Sequence, residues 1–365
     1  MARNLLSVRL ERLPEATVAR NIATSIASIA LALVTIGLVL LASGVNPIEV
    51  YRSMLSGSLG DRYALSETLV KMTPLLLTGL AVAVAFQMQL WNIGAEGQLY
   101  LGAIAATAVP LFILPDARGL IMIPAMVVAG FLGGALWGAI PGALRAFFNA
   151  NETITTLMLN YVAILFSQYL VHGPWRDPAA FGFPGTKTFP PAASLPNYET
   201  YRVHIGLLFG FVAVMVVAVL LTRTRFGFEL KVIGDNPRAA RYAGMSTKRM
   251  IIIVLAISGG LAGIAGMSEI SGIGHSLQRS VSPGYGYTAI IVAWLARLNP
   301  YGIILVSFFL SAILVGSDQL QTAMGLPGSV GPMVQGALLF FLLGGDVLTR
   351  FRLRFSREPI GLAHG

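Results

Sequence analysis

The chain has no cysteine in its 365 residues, which removes disulfides, thiolate nucleophiles and cysteine-bound metals. Histidine is nearly as scarce. His172, His204, His275 and His364 are scattered, and no HExxH or similar spacing sets two ligands on one helix face, so neither a catalytic metal nor a cofactor is expected. A GxSxG elbow is absent, as is a GxxxxGK phosphate loop ending in Ser or Thr, so the chain cannot cradle and split ATP by itself. Charge is sparse too, at 11% against 55% hydrophobic residues with a mean hydropathy of +0.74, far from a soluble domain. Apart from one basic segment, the longest polar stretch is the Pro/Gly-rich 173–203, too short and irregular for a core of its own.

What is present is a series of long apolar runs. About ten can cross some 30 Å of hydrocarbon, near 20–44, 66–86, 95–114, 119–140, 153–172, 204–222, 250–268, 284–298, 301–317 and 330–348. The chain therefore reads as one all-α integral membrane domain over 1–365. The run at 284–298 is short, and only QMQLWNIG separates the second run from the third, so broken or re-entrant helices are expected there. With the N-terminus inside, seventeen cations fall on the cytoplasmic side and seven outside, a bias for an even number of spans with both termini cytoplasmic and 173–203 external. The net charge of +9 then reflects cations flanking apolar runs, where they anchor against anionic lipid, and calls for no nucleic acid.

The basic segment is 222–250, TRTRFGFELKVIGDNPRAARYAGMSTKRM, with seven cations against Glu229 and Asp235. Asn236 can cap a helix, Pro237 suits its first position and Gly244 can end it, giving about seven residues or 10 Å of helix. A helix this short gains little from propensity and is expected to be held by packing against something else.

Polar residues at membrane depth are functional candidates because burial without partners is costly. Glu67 and Lys71 have the spacing of an ion pair on one helix face. The segment FQMQLWNIGAEGQ, 86–98, sets Trp91, Asn92, Glu96 and Gln98 in an apolar context, with Gly94 and Gly97 allowing sharp turns or close approach. A second interruption, 266–287, lies in the other half. By the alternation of spans the two breaks face opposite ways, as an inverted repeat would arrange them. Gly130, Gly134, Gly138 and Gly142 form a small-residue stripe for close helix packing, and the spacing recurs at Gly259 and Gly263.

Three segments in order, MTPLLLTGLAVAVAFQMQLWNIGAEGQLYLGA (72–103), GDNPRAARYAGMS (234–246) and GYGYTAIIVAWLARLNP (284–300), resemble the permease subunits of bacterial ABC importers in the simple-sugar and nucleoside branch. The resemblance implies a type II importer-like fold in the bacterial inner membrane, a second permease that is a non-identical homologue, a separate ABC ATPase subunit and an external substrate-binding protein. It implies that the short helix is the coupling helix, with Asn236, Pro237, Arg238, Ala239, Ala240, Arg241, Ala243 and Gly244 toward the ATPase. QLWNIGAEGQ is more similar to the nucleoside branch than to the ribose-like or galactose-like sugar branch, with Trp91, Asn92, Glu96 and Gln98 as path residues that stack on a base or sugar and read its polar groups. Two rivals come from other classes. An ion-coupled secondary transporter would use Glu96, Glu269, Asp318 or Asp346 as proton or cation sites, and a membrane-embedded enzyme would need a catalytic cluster that the sequence lacks. Neither accounts for the short cytoplasmic helix.

Overall fold

The computed structural model describes the backbone of residues 6–12, 18–197 and 201–357, and the side chains of 23–197 and 201–345. In chain order the elements are β1 (Leu6–Arg12), α1 (Val18–Ala42), α2 (Pro47–Leu59), α3 (Arg62–Gln87), α4 (Ala95–Ala108), α5 (Gly119–Phe148), α6 (Glu152–His172) and α7 (Gly206–Arg223). There follow α8 (Arg225–Asp235), α9 (Pro237–Tyr242), α10 (Thr247–Glu269), α11 (Tyr285–Leu295), α12 (Pro300–Met324), α13 (Val330–Arg350) and β2 (Phe351–Arg357). Turns of π-helix, Val109–Ile113 and Ile270–Gly274, extend α4 and α10.

Among the described residues eight helices are long and apolar enough to cross a membrane: α1, α3, α4, α5, α6, α7, α10 and α12, with α4 and α10 counted through their π turns. Each of the ten apolar runs meets a helix. The other two are α11, which is short, and α13, whose apolar part among the described residues is Val330–Gly345. Besides α9, the short helix expected from its own signals, two helices lie outside the expected runs. One is α2, and the other is α8, which occupies ground read as loop because its apolar residues, Phe228, Leu230 and Ile233, are interleaved with charges.

The chain forms two compact units. The smaller takes in Met1–Arg52 and Met324–Gly365. Here α1 packs on α13, and β1 pairs with β2 antiparallel, Leu6 opposite Arg357 and Arg12 opposite Phe351. This ribbon departs from an all-helical chain, and its cause is the period-2 alternation of LSVRLER and FRLRFSR. The terminal cations used for orientation, and Asp346, lie outside the residues whose side chains are described.

The larger unit, Ser53–Ala323, is built around α3 and α10. Almost the whole span of α3 is buried, which explains why it is apolar on every face rather than amphipathic. The small-residue stripe of α5 faces α10: a β-carbon added at Gly130 would stand 2.9 Å from Met267 Cβ, and one at Gly134 would collide with the backbone oxygen of Gly259. The stripe thus serves packing inside the chain, as glycine faces do where helix backbones approach closely. On the other side, Leu132 and Leu136 of α5, Val162 and Leu165 of α6 and Val212 and Val216 of α7 are exposed, an apolar surface suited to lipid.

Candidate functional site

The chain leaves α3 at Gln87, turns through Gln89 with φ 57°, and restarts as α4 at Ala95. Asn92, Glu96 and Gln98 are buried and fully engaged. Asn92 Nδ2 donates to Gln98 Oε1 at 2.9 Å and to Ser258 Oγ of α10 at 2.8 Å, and its Oδ1 accepts from the Gly94 N–H at 3.0 Å. Ser258 in turn donates to the Ala81 carbonyl of α3 at 2.6 Å. Asn160 of α6 accepts from the Gly97 N–H at 2.8 Å and donates to the Ile93 carbonyl at 2.9 Å. Gly97 is needed there, because a β-carbon would come within 2.9 Å of Asn160 Cα.

Glu96 spans a longer distance in sequence. Its carboxylate accepts from the Gly286 N–H at 2.7 Å and also bonds the Ser282 hydroxyl, so it closes the N-terminus of α11, where a negative charge is favoured. The starts of α4 and α11 therefore meet. The two breaks are entered from different ends: the one before α4 from Gln87, which bonds Leu298 beyond the end of α11, and the one before α11 from the chain after α10, which dips back alongside α4, where the Val281 N–H donates to Tyr100 Oη at 3.4 Å. Asn92 and Gln98 bond each other, Asn92 also bonds Ser258 of α10, and Glu96 bonds the start of α11, so all three have partners within the chain. Trp91 differs, being 43% exposed, with its ring 5.0 Å from Phe86 and 5.9 Å from Trp294.

The expected short helix is α9. Asn236 Oδ1 accepts from the N–H groups of Arg238 at 3.1 Å and Ala239 at 3.0 Å, Pro237 takes the first position, and Gly244 follows with φ 78°. Pro237, Arg238, Ala239, Arg241, Ala243 and Gly244 are exposed. Ala240 is not: it is wholly buried, because one side of a single helical turn must rest on the body of the protein, so it packs within the chain rather than toward a partner. Tyr242, which sequence reasoning passed over, is 95% exposed at the end of α9. The two regions touch through α8. Gly234 lies against the Gln87 carbonyl and Met88, and Gln87 Nε2 donates to the Leu298 carbonyl at 3.2 Å.

Glu67 and Lys71 do not pair with each other. Glu67 binds Arg202 at 3.2 Å, and Lys71 binds Asp318 of α12, since partners from other elements lie within reach. His204, ahead of α7, accepts from the Gly206 N–H at 3.2 Å, and its pKa is held down to about 4 by burial and then by the charges of His275 and Arg202. Asn160 and Ser258 also escaped the sequence reading, although a lone amide in the apolar run LMLNYVAILF is a signal that could have found the first.

Comparison with known proteins bears on this arrangement. Residues 64–343 match the family model described as branched-chain amino acid transport system / permease component. The glucose ABC transporter permease protein TsgB13 of Haloferax volcanii is 36% identical, over 98% of this chain and 96% of its own. The nucleoside ABC transporter permease protein NupB of Lactococcus lactis is 35% identical, over 84% of this chain and 86% of its own. The guanosine ABC transporter permease protein NupP of Bacillus subtilis is 31% identical, over 90% and 93%. With its apolar spans, its paired helix breaks and these matches along nearly all of its length, the chain belongs to this family of ABC transporter permeases.

Proposed function

We propose that the chain is the permease subunit of an ATP-driven importer of nucleosides in the bacterial inner membrane, with both termini and 222–250 in the cytoplasm and 173–203 outside. The observation that carries the mechanism is α9, a capped helix of one and a half turns whose Arg238, Arg241 and Tyr242 are exposed on a basic segment. It is the coupling helix, docking on a separate ATPase subunit, with Tyr242 as an aromatic anchor and the two arginines facing acidic groups. Movement of the ATPase then reaches the broken helices through the contact of Gly234 with Gln87 and Met88. A second, non-identical permease completes the path, and an external binding protein delivers the substrate. Trp91 offers an aromatic face to the path, while Asn92, Glu96 and Gln98 hold the break that presents it. The chain itself performs no covalent chemistry and alternates between two states that its partners stabilise differently.

The nucleoside reading is supported by the relatives named for nucleoside and guanosine, and a sugar reading is favoured by the likeness to a glucose permease. The test is uptake of labelled guanosine and labelled glucose into proteoliposomes holding both permeases, the ATPase and the binding protein. ATP-dependent guanosine uptake, with competition by other nucleosides, is expected. Competition by free sugars alone makes the sugar reading correct, and uptake driven by an ion gradient without the ATPase returns the protein to the secondary transporters.

A further inference from the structure

In the spans of the larger unit, four charged residues stand more than one helical turn from a span end: Glu67, Lys71, Glu269 and Asp318. They come from three helices, α3, α10 and α12, yet they gather in one place. Lys71 is bonded to Asp318 and Glu67 to Arg202, while the charges of Lys71 and Arg202 both act on Glu269.

This cluster is not a sealed structural ion pair, because the Asp318 side chain is 68% exposed and that of Lys71 is 21% exposed. An open carboxylate at this position in a span is untenable against hydrocarbon, so the surface of α3 and α12 that bears it faces water. The apolar exposed faces of α5, α6 and α7 supply the lipid side instead. The importer reading, on which this inference rests, makes the watery surface part of the substrate's path.

The chemistry of the cluster narrows the ligand. Its carboxylates do not form a group that could hold a metal ion, among the described residues. Its charges nearly balance, which disfavours an ionic solute. What it offers is ammonium donors beside carboxylate acceptors, the set that binds neighbouring hydroxyl groups able both to donate and to accept. We propose that Lys71 and Asp318 form a recognition point on the path that hydrogen-bonds the hydroxyls of a sugar ring, whether the ribose of a nucleoside or a free sugar.

The experiment uses the complete reconstituted complex. Parental uptake of guanosine and glucose decides the functional reading first. The transported probe is then set against its analogues lacking one hydroxyl, 2′- and 3′-deoxyguanosine or 2- and 3-deoxyglucose, in the parent and in Asp318→Asn and Lys71→Gln. The binding protein is the same in every arm, so a change in the preference ratio belongs to the permease. Asp318→Asn is expected to lower the parental preference for at least one hydroxyl by about tenfold, with ATPase co-purification and thermal stability unchanged. An unchanged ratio overturns this inference alone, and uptake of neither probe by the parent overturns the functional reading with it. Should Asp318→Asn not assemble, the reversed pair Lys71→Asp with Asp318→Lys takes its place. Assembly with lost preference supports the proposal, whereas restored preference, or failure of both variants to assemble, reduces the pair to a structural link and ends it.

Discussion

Asn92 and Asn236 both accept from backbone N–H groups where the chain enters a helix, yet they work in opposite settings. Asn236 stands exposed and serves only the first turn of α9. Asn92 is wholly buried, and its amide also ties α4 to α10 through Gln98 and Ser258. Water can replace what Asn236 provides, but nothing can replace what Asn92 provides. The comparison separates a framework, the joined breaks at α4 and α11, from a tool carried on the surface, α9. If it is sound, substitutions in the first must cost folding and substitutions in the second must cost only assembly.

The largest effect is expected at Glu96. Its removal strands the Gly286 N–H and the Ser282 hydroxyl in the interior, so Glu96→Ala should cost about 3 kcal/mol or more and lower the yield of folded protein. Thermal unfolding in detergent measures this, and a variant within about 1 kcal/mol of the parent would break the comparison. Acid sharpens it next. His204 is buried neutral with a folded pKa of about 4. Below pH 6.5 the unfolded chain takes up a proton that the fold refuses until about pH 4. Stability should therefore fall across that window by about 3 kcal/mol, and His204→Asn should flatten the profile. A melting temperature equally pH-dependent in both proteins would contradict this. The asparagines themselves give a smaller pair of effects. Asn92→Ala should cost about 2 kcal/mol globally, and Asn236→Ala about 1 kcal/mol confined to α9. Hydrogen exchange resolves the two, with faster exchange limited to 237–244 in the second variant and spread over α4 and α10 in the first.

The spans were legible because hydrocarbon demands long apolar runs, and α9 was legible because its cap, proline and glycine are all local signals. The glycine stripe was legible too, since Gly130, Gly134 and Gly138 have no plausible use except close approach. What escaped depended on partners far away in sequence. Glu67 and Lys71 satisfy the helical pairing rule, yet Arg202 and Asp318, 135 and 247 residues distant, claim them. The bond from Glu96 to Gly286 involves a backbone N–H, which leaves no mark in the sequence. The inward face of Ala240 was hidden for another reason: a helix of six residues has too few positions to show a period, so its buried side cannot be read from its pattern.

The central claim is that α9 is where the energy source attaches, and Tyr242 tests it most directly. At 95% exposure it contributes little to the fold, so Tyr242→Asp should leave stability within about 0.5 kcal/mol of the parent. The measurement is recovery of the cognate ATPase with the purified variant, together with ATP-driven uptake in proteoliposomes. The account predicts at least about a tenfold loss of both in a normally folded permease. Full ATPase recovery with parental uptake would contradict it.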